Sequence, residues 1–305
     1  QYLPGNTSET LWTEYLPHSQ LPQIFNPDSG FFQNSNNDPF QTTLNPENPD
    51  RDAYSPTLGI TDPMSNRSLR SLELFGNDES ITYDEFVEYK YDMGFHPDSD
   101  LIRAIHMILD APAPADSAQN QAYNLLAEWD YQSNPENKST AIAILTLYYL
   151  LENDNVDISV SNMVGGAFTQ ADAIDSFEKA VALMMENYGR IDVEWQEVNR
   201  LIRGDVDLGI GGAPDVLHAV YGDLGEDGRF RGIAGDSYVM IIAWDADGNL
   251  TSESIHQYGS ATLVEDSPHY ADQAPIFVQR ELKPVWMDEA IIRENLNSAY
   301  APGEE

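Results

Sequence analysis

The period of the apolar pattern changes twice along this chain, and that change constrains the fold more than any other feature of the sequence. From residue 66 to about residue 190, apolar side chains recur three and four positions apart, the spacing of one face of an α-helix. Ser68 to Phe75 places Leu69, Leu72 and Phe75 on one stripe. Thr82-x-x-Glu85 is a capping box that opens a second helix through about Met93. Leu101 to Leu109, Ala115 to Trp129 and Thr140 to Glu152 continue the series, separated by Pro112, Pro114 and the Ser133-Asn134-Pro135 turn. Thr169-x-x-Asp172 caps a last long helix to about Asn187, with Ala173, Phe177, Ala180, Val181 and Met184 on its apolar face and Gly189 after its end.

Both flanks of this helical third read differently. Residues 1 to 25 mix aromatic and polar residues with three prolines and predict extended loop leading to a short strand near Ile24-Phe25, with another at Gly30 to Gln33. Asn45 to Pro63 is dense in turn residues and predicts a loop over the surface. Beyond Asp192 the chain turns to β-branched runs and glycine-rich turns. Tyr238 to Trp244 predicts a buried strand, Asp245 to Asn249 its turn, and Thr251 to Ile255 its hairpin partner. No internal repeat is present.

Composition excludes several classes of function. The chain has 305 residues, 41% of them hydrophobic, enough for a large folded core. Fifteen basic against 51 acidic residues leave a formal charge of −36, which repels nucleic acid and anionic membrane surfaces. The same acidity suits a saline environment, where screening weakens the mutual repulsion of carboxylates. There is no Cys, so disulfides, thiolate metal sites and Cys nucleophiles are all unavailable. The longest apolar run, Ala141 to Leu151, is too short to span a bilayer, so no membrane insertion is expected.

Most conspicuous motifs have a plain structural reading. Ser267-Pro268-His269-Tyr270-Ala271-Asp272 holds Ser, His and Asp within six residues, but triad members come from separate elements that meet in space, and no G-x-S-x-G elbow occurs. Asp245-x-Asp247-Gly248-Asn249 lacks the Gly and Glu positions of a calcium loop and suits a hairpin turn. Gly209-Ile210-Gly211-Gly212 lacks the strand and helix context of a dinucleotide fingerprint and is expected to be a flexible turn. The six His residues show no metal spacing, and acidic runs such as Asp98 to Asp100 are expected to be solvated, although they could hold a structural Ca²⁺.

The stretch Asn26 to Phe40, NPDSGFFQNSNNDPF, is different in kind. An amide-cleaving enzyme must stabilise a tetrahedral oxyanion, and a side-chain amide N–H about 3 Å from it contributes roughly 3–4 kcal/mol to that end. Asn36 is the candidate donor. Its structural alternative is an ordinary Asx-turn, since Asn-Asn-Asp-Pro is common turn chemistry.

This Asn turn resembles the N-P-x-x-G…N-N-x-P segment of the penicillin acylase family, and further blocks resemble that family in order along nearly the whole chain. They are Asn66-Arg67-x-x-Arg70-x-Leu72, Leu126-Ala127-x-Trp129-Asp130, Val198-Asn199-Arg200 with Gly211-Gly212, and the closing Ile255-His256-Gln257-Tyr258-Gly259 and Ser267 to Gln273. The closing pair takes the form found in the acyl-homoserine lactone and aculeacin acylase branch. The resemblance implies an α+β fold, the αββα sandwich of N-terminal-nucleophile hydrolases. Residues 1–305 would be one piece of that domain, with strands and the oxyanion turn in 1–45, a mostly helical 46–190, and a return to the sheet in 191–305.

It further implies hydrolysis of an N-acyl amide through an acyl-enzyme, on acyl-homoserine lactones or similar lipid amides, with a β-lactam as the alternative substrate. By position in the motif, Asn36 would be the oxyanion donor and Arg67 the residue that orients it, with Asn37 the fallback if the register slips by one. The nucleophilic Ser is expected on an upstream segment, leaving this chain inactive alone and partnered by the rest of a β subunit and an α subunit cut from the same precursor. His269 and Asp272 are expected to be structural, no cofactor is implied, and the expected location is the periplasm or outside the cell. The rival reading is a non-catalytic acidic secreted binding protein.

Overall fold

A computed structural model describes residues 3–11, 13–60, 64–159, 162–261, 263–299 and 301. Its helices follow the sequence signals closely. Helix α1 spans Asn66–Gly76 and opens on Ser65, whose hydroxyl accepts the Ser68 N–H. Helix α2, Tyr83–Lys90, has its full capping box, Thr82 and Glu85 each taking the other's backbone N–H, and it stops three residues short of the expected end at Met93. Helices α3 (Asp100–Leu109), α4 (Ser117–Ala127) and α5 (Thr140–Leu151) follow. A hairpin of β1 (Asp157–Ser159) and β2 (Asn162–Ala167) leads to α6, Gln170–Tyr188, again with a complete Thr169/Asp172 box and Gly189 in the left-handed conformation at its end.

The helical layer packs around α5. A helix apolar on every side must be buried on every side, and α5 is: each residue from Thr140 to Leu147 is buried. Leu101, Ile102 and Ile105 of α3 and Phe177, Val181 and Met184 of α6 share one core with Ile142 and Leu145 of α5.

The short α7 (Trp195–Val198) passes into a four-stranded sheet of β3 (Asn199–Arg203), β4 (Val206–Gly209), β5 (Val220–Leu224) and β6 (Phe230–Gly235). The spatial order is β4-β3-β6-β5, with β3 and β6 parallel and the other pairs antiparallel. Strands β7 (Tyr238–Trp244) and β8 (Leu250–His256) form the expected hairpin, seven pairs long from Tyr238↔His256 to Trp244↔Leu250. The Asp245 carboxylate caps its turn by accepting the N–H groups of Asp247 at 2.9 Å and Asn249 at 2.8 Å, and Gly248 has φ 82°. Helix α8 (Ala274–Val278), the two-residue β9 (Lys283–Pro284) beside β8, and α9 (Glu289–Glu294) close the chain. Val239, Ile241, Ile255, Leu201, Val220 and Phe277 make a second core between the hairpin and the four-stranded sheet. Helices and three sheets together give the mixed α+β class that was expected.

Three expectations need correction. The strands near Ile24-Phe25 and at Gly30 to Gln33 do not form. Side chains take over the backbone partners that a ladder would use: Asn48 accepts the N–H groups of Thr42 and Thr43 at 2.8 and 3.0 Å and donates to the Thr43 carbonyl, while the Thr43 hydroxyl donates to the Phe31 carbonyl. The loop from Asn45 is as expected through residue 60, and residues 61–63 lie outside the described residues. Gly209 to Gly212 is no flexible turn. Ile210, Gly211 and Gly212 are buried, and a Cβ on Gly212, at φ +77°, would stand 2.3 Å from the His218 carbonyl oxygen. Tyr238 to Trp244 is buried on one face only, with Val239 and Ile241 at 2% and 3% exposure and Tyr238, Met240, Ile242 and Trp244 open on the other.

Because Leu145 is fully enclosed at the centre of the helical core, Leu145→Ala should destabilise the fold by about 2–5 kcal/mol. Urea denaturation measures this, and a loss below about 1 kcal/mol would contradict the close packing described.

Candidate active site

The site is built where the start of α1 meets the loop between β4 and β5. The Asp215 carboxylate is fully buried there. One oxygen accepts the backbone N–H of Asn66 at 2.7 Å, in the first turn of α1, and the other faces the Arg67 Nε at 3.1 Å. Anions are favoured at a helix N-terminus, where backbone N–H groups lack partners of their own. The Asn66 side chain completes the joint: its amide donates to the Asp215 and Gly94 carbonyls at 2.7 and 3.0 Å, and its oxygen accepts the His96 N–H at 2.6 Å.

Arg67 spends its second contact on the Asn turn. Its Nη2 donates to Asn36 Oδ1 at 3.1 Å, so the two residues chosen from sequence meet across 31 positions. An Asn whose oxygen is fixed by a cation keeps its NH₂ group turned away from that cation and available as a donor. Among the described residues that group has no hydrogen-bond partner.

The Asx-turn alternative is occupied by the neighbours of Asn36. Asn34 Oδ1 accepts the Asn36 N–H at 2.9 Å, and Asn37 Oδ1 accepts the Ser35 N–H at 2.9 Å. Asn37 also donates to the carbonyls of Asp38 and Gln41, which uses its whole amide locally and leaves it no capacity for a substrate. The turn is not buried, however: Asn36 lies exposed on this chain, while Ser35 and Asp38 beside it are covered. Both residues bridged by Arg67 adopt positive φ, 64° at Asn36 and 60° at Asp215. Asn and Asp tolerate this conformation better than other side chains, and such outliers gather at functional sites.

The surroundings hold this assembly rigid. Arg70, one turn along α1, grips the Asp92 carboxylate with two nitrogens at 3.0 and 2.7 Å and Glu73 with a third at 2.6 Å. Asn199 donates to the carbonyls of the Gly211 region and Trp195 Nε1 donates to the Gly212 carbonyl at 2.7 Å, fixing the loop segment that delivers Asp215. On the far side of the loop Asp236 accepts from Lys90 Nζ at 2.6 Å and lies 3.1 Å from the buried His218 Nδ1. Burial pushes the His218 pKa down, so its ring favours the neutral form.

Asp215 itself is pushed up to about 6 by burial, against the opposing pull of the Asn66 N–H and of Arg67. Sequence reading missed Asp215, and it named Asn66 within the Asn66-Arg67 block without giving it a role. Asp215 sits 148 positions from Arg67 with no periodic signal, and after Pro214 it reads as one more turn residue.

The other sequence candidates stay apart from this centre. Ser267 accepts the His269 backbone N–H, and His269 Nδ1 lies 2.9 Å from Asp272 in an exposed pair. That segment anchors the C-terminal return through Tyr270 against Arg203 and through Gln273, whose oxygen accepts the His256 N–H. Among the described residues, no three His, Asp or Glu side chains gather as metal ligands.

The sequence profile of the penicillin amidase family matches residues 1–294. The chain belongs to the penicillin amidase family. A solved structure, a thermostable penicillin G acylase from Alcaligenes faecalis, aligns over 90% of this chain with 14% sequence identity and a TM-score of 0.47. This chain spans 57% of the length of that acylase chain. Among the described residues no helix is long and apolar enough to cross a membrane.

The pKa of Asp215 sets a pH test with a definite sign. Its folded value, about 6, exceeds its ordinary value of 3.8, so the folded state holds this proton more tightly than the unfolded state. Its contribution to stability, on the order of 3 kcal/mol, is therefore fully present below about pH 4 and lost as pH rises through 6. Asp215→Asn should flatten the fall in thermal midpoint between pH 4 and 6, and an unchanged slope would remove Asp215 as its source.

Proposed function

We propose that this chain is part of an amide hydrolase that cleaves an N-acyl bond through an acyl-enzyme, with Asn36 as the side-chain oxyanion donor and Arg67 as the residue that positions it. The observation that carries the proposal is the Asp215–Arg67–Asn36 bridge, because it fixes the Asn36 oxygen and leaves its N–H groups facing out. In the reaction a nucleophile adds to the amide carbonyl, its oxygen becomes negative, and Asn36 Nδ2 donates to that oxygen. Collapse of the adduct expels the amine and leaves an acyl-enzyme that water hydrolyses. The nucleophile we propose is an N-terminal Ser on polypeptide outside these 305 residues, its own α-amino group acting as base. That polypeptide, a further part of the β subunit and an α subunit from one precursor, would complete the enzyme in the periplasm or outside the cell.

For the substrate we propose N-acyl homoserine lactones or related lipid amides rather than β-lactams. The support is the form of the closing blocks, Ile255 to Gly259 and Ser267 to Gln273.

In the complete enzyme, Asn36→Ala should lower kcat by about 10²–10³-fold with a small change in KM, the signature of a contact made only in the transition state. Steady-state kinetics with mass-spectrometric detection of the free amine from N-decanoyl homoserine lactone and from penicillin G measures both the loss and the preference. Full activity in Asn36→Ala would end the assignment of Asn36, and preferential turnover of penicillin G would end the choice of substrate.

A further inference from the structure

Strand β7 carries the sequence YVMIIAW, with no charged residue between Asp236 and Asp245. A strand apolar on both faces is the pattern of one covered on both faces. Here Val239 and Ile241 pack into the second core, while Tyr238, Met240, Ile242 and Trp244 stand 42–66% exposed in a row on the opposite face, next to the exposed Leu250 on β8. Among the described residues, strand β7 is also an edge strand of its sheet. Long apolar edges are what folded proteins otherwise avoid.

The row continues into a groove of about 440 Å³ where Ile242 and Trp244 face Phe31, Phe75 and Phe86. Phe75 stacks on Phe31 at 5.5 Å and meets Phe86 edge-on at 5.9 Å, so the groove is a preformed aromatic socket. Exposed acids follow the groove residues Tyr83 and Trp244 along the chain, Asp84 at the head of α2 and Asp245 and Asp247 at the hairpin turn. A second copy of this chain fits such a surface poorly, because it brings the same 51 acids against 15 basic residues.

We propose that the outer face of β7 and the aromatic groove beside it form the docking surface for another polypeptide segment of the assembled enzyme, one that presents an apolar face edged by Lys or Arg. This rests on the reading above that further polypeptide completes the enzyme. The segment covers the Tyr238–Trp244 row, places an apolar side chain in the groove, and sets its basic edge against Asp84, Asp245 and Asp247.

The test uses the complete enzyme and the absence of Cys in this chain. Ile242→Cys, a small change at a half-exposed site, is compared with Leu263→Cys, where the side chain is 94% exposed. Alkylation by a soluble maleimide is followed on each peptide by mass spectrometry. Protection of Ile242→Cys by roughly tenfold or more, abolished in urea, is the expected result. Photo-crosslinking from Met240→p-benzoylphenylalanine should then map to a Lys- or Arg-flanked apolar peptide outside these 305 residues. Equal alkylation of both sites, or crosslinks confined to a second copy of this chain, would overturn the proposal. Protection in an enzyme whose Asn36→Ala variant keeps full activity would leave the docking surface standing and remove the oxyanion assignment.

Discussion

Everything at the candidate site depends on one buried carboxylate. Asp215 enters from the β4–β5 loop, takes the first N–H of α1, and turns its other oxygen to Arg67. Burying a lone carboxylate is costly; the Asn66 N–H and Arg67 offset part of that cost here, and burial still pushes the Asp215 pKa up to about 6. The consequence is mechanical. Arg67 cannot swing toward solvent without stranding Asp215, so its Nη2 is held where it meets Asn36.

The same logic explains why the neighbours are so heavily tied down. A bridge of two contacts at 3.1 Å positions Asn36 only as well as its two ends are positioned. The Asp215 end is fixed by Asn66, by the closely packed Gly211-Gly212 segment and by the Lys90–Asp236–His218 cluster behind the loop. The Asn36 end is fixed by the paired Asx contacts of Asn34 and Asn37. Two positive-φ residues are tolerated because these contacts over-determine them.

What could be read from sequence was what local chemistry determines. The capping boxes at Thr82 and Thr169, the helical spacing through α3, α5 and α6, and the Asp245 to Asn249 turn each signal structure within a few residues, and each element formed there. The strands before residue 45 misled because Ile24-Phe25 and Phe31-Phe32 are short pairs of β-favouring residues, while Asn48 and Thr43 supply the hydrogen bonds that a ladder would have needed. Asn36 and Arg67 were found through resemblance of their motifs, and the structure brings them into contact. Asp215 could not be found in that way. A pairing across 148 residues leaves no periodic trace, and an Asp after Pro reads as one more turn residue.

Two places on this molecule are less enclosed than their chemistry requires, and they call for the same remedy. A hydrogen bond to a developing oxyanion gains most of its strength from a site closed to water, because bulk solvent weakens the electrostatic interaction severalfold. Asn36 lies exposed here, so the proposed role demands a cover over the Asn turn. Strand β7 likewise has the composition of a strand enclosed on both faces and an environment that encloses one. The aromatic groove links the two regions, since Phe31 belongs to the Asn-rich segment and Trp244 to the hairpin. A polypeptide seated on β7 and in that groove would therefore touch the Asn-rich segment at Gly30 and Phe31.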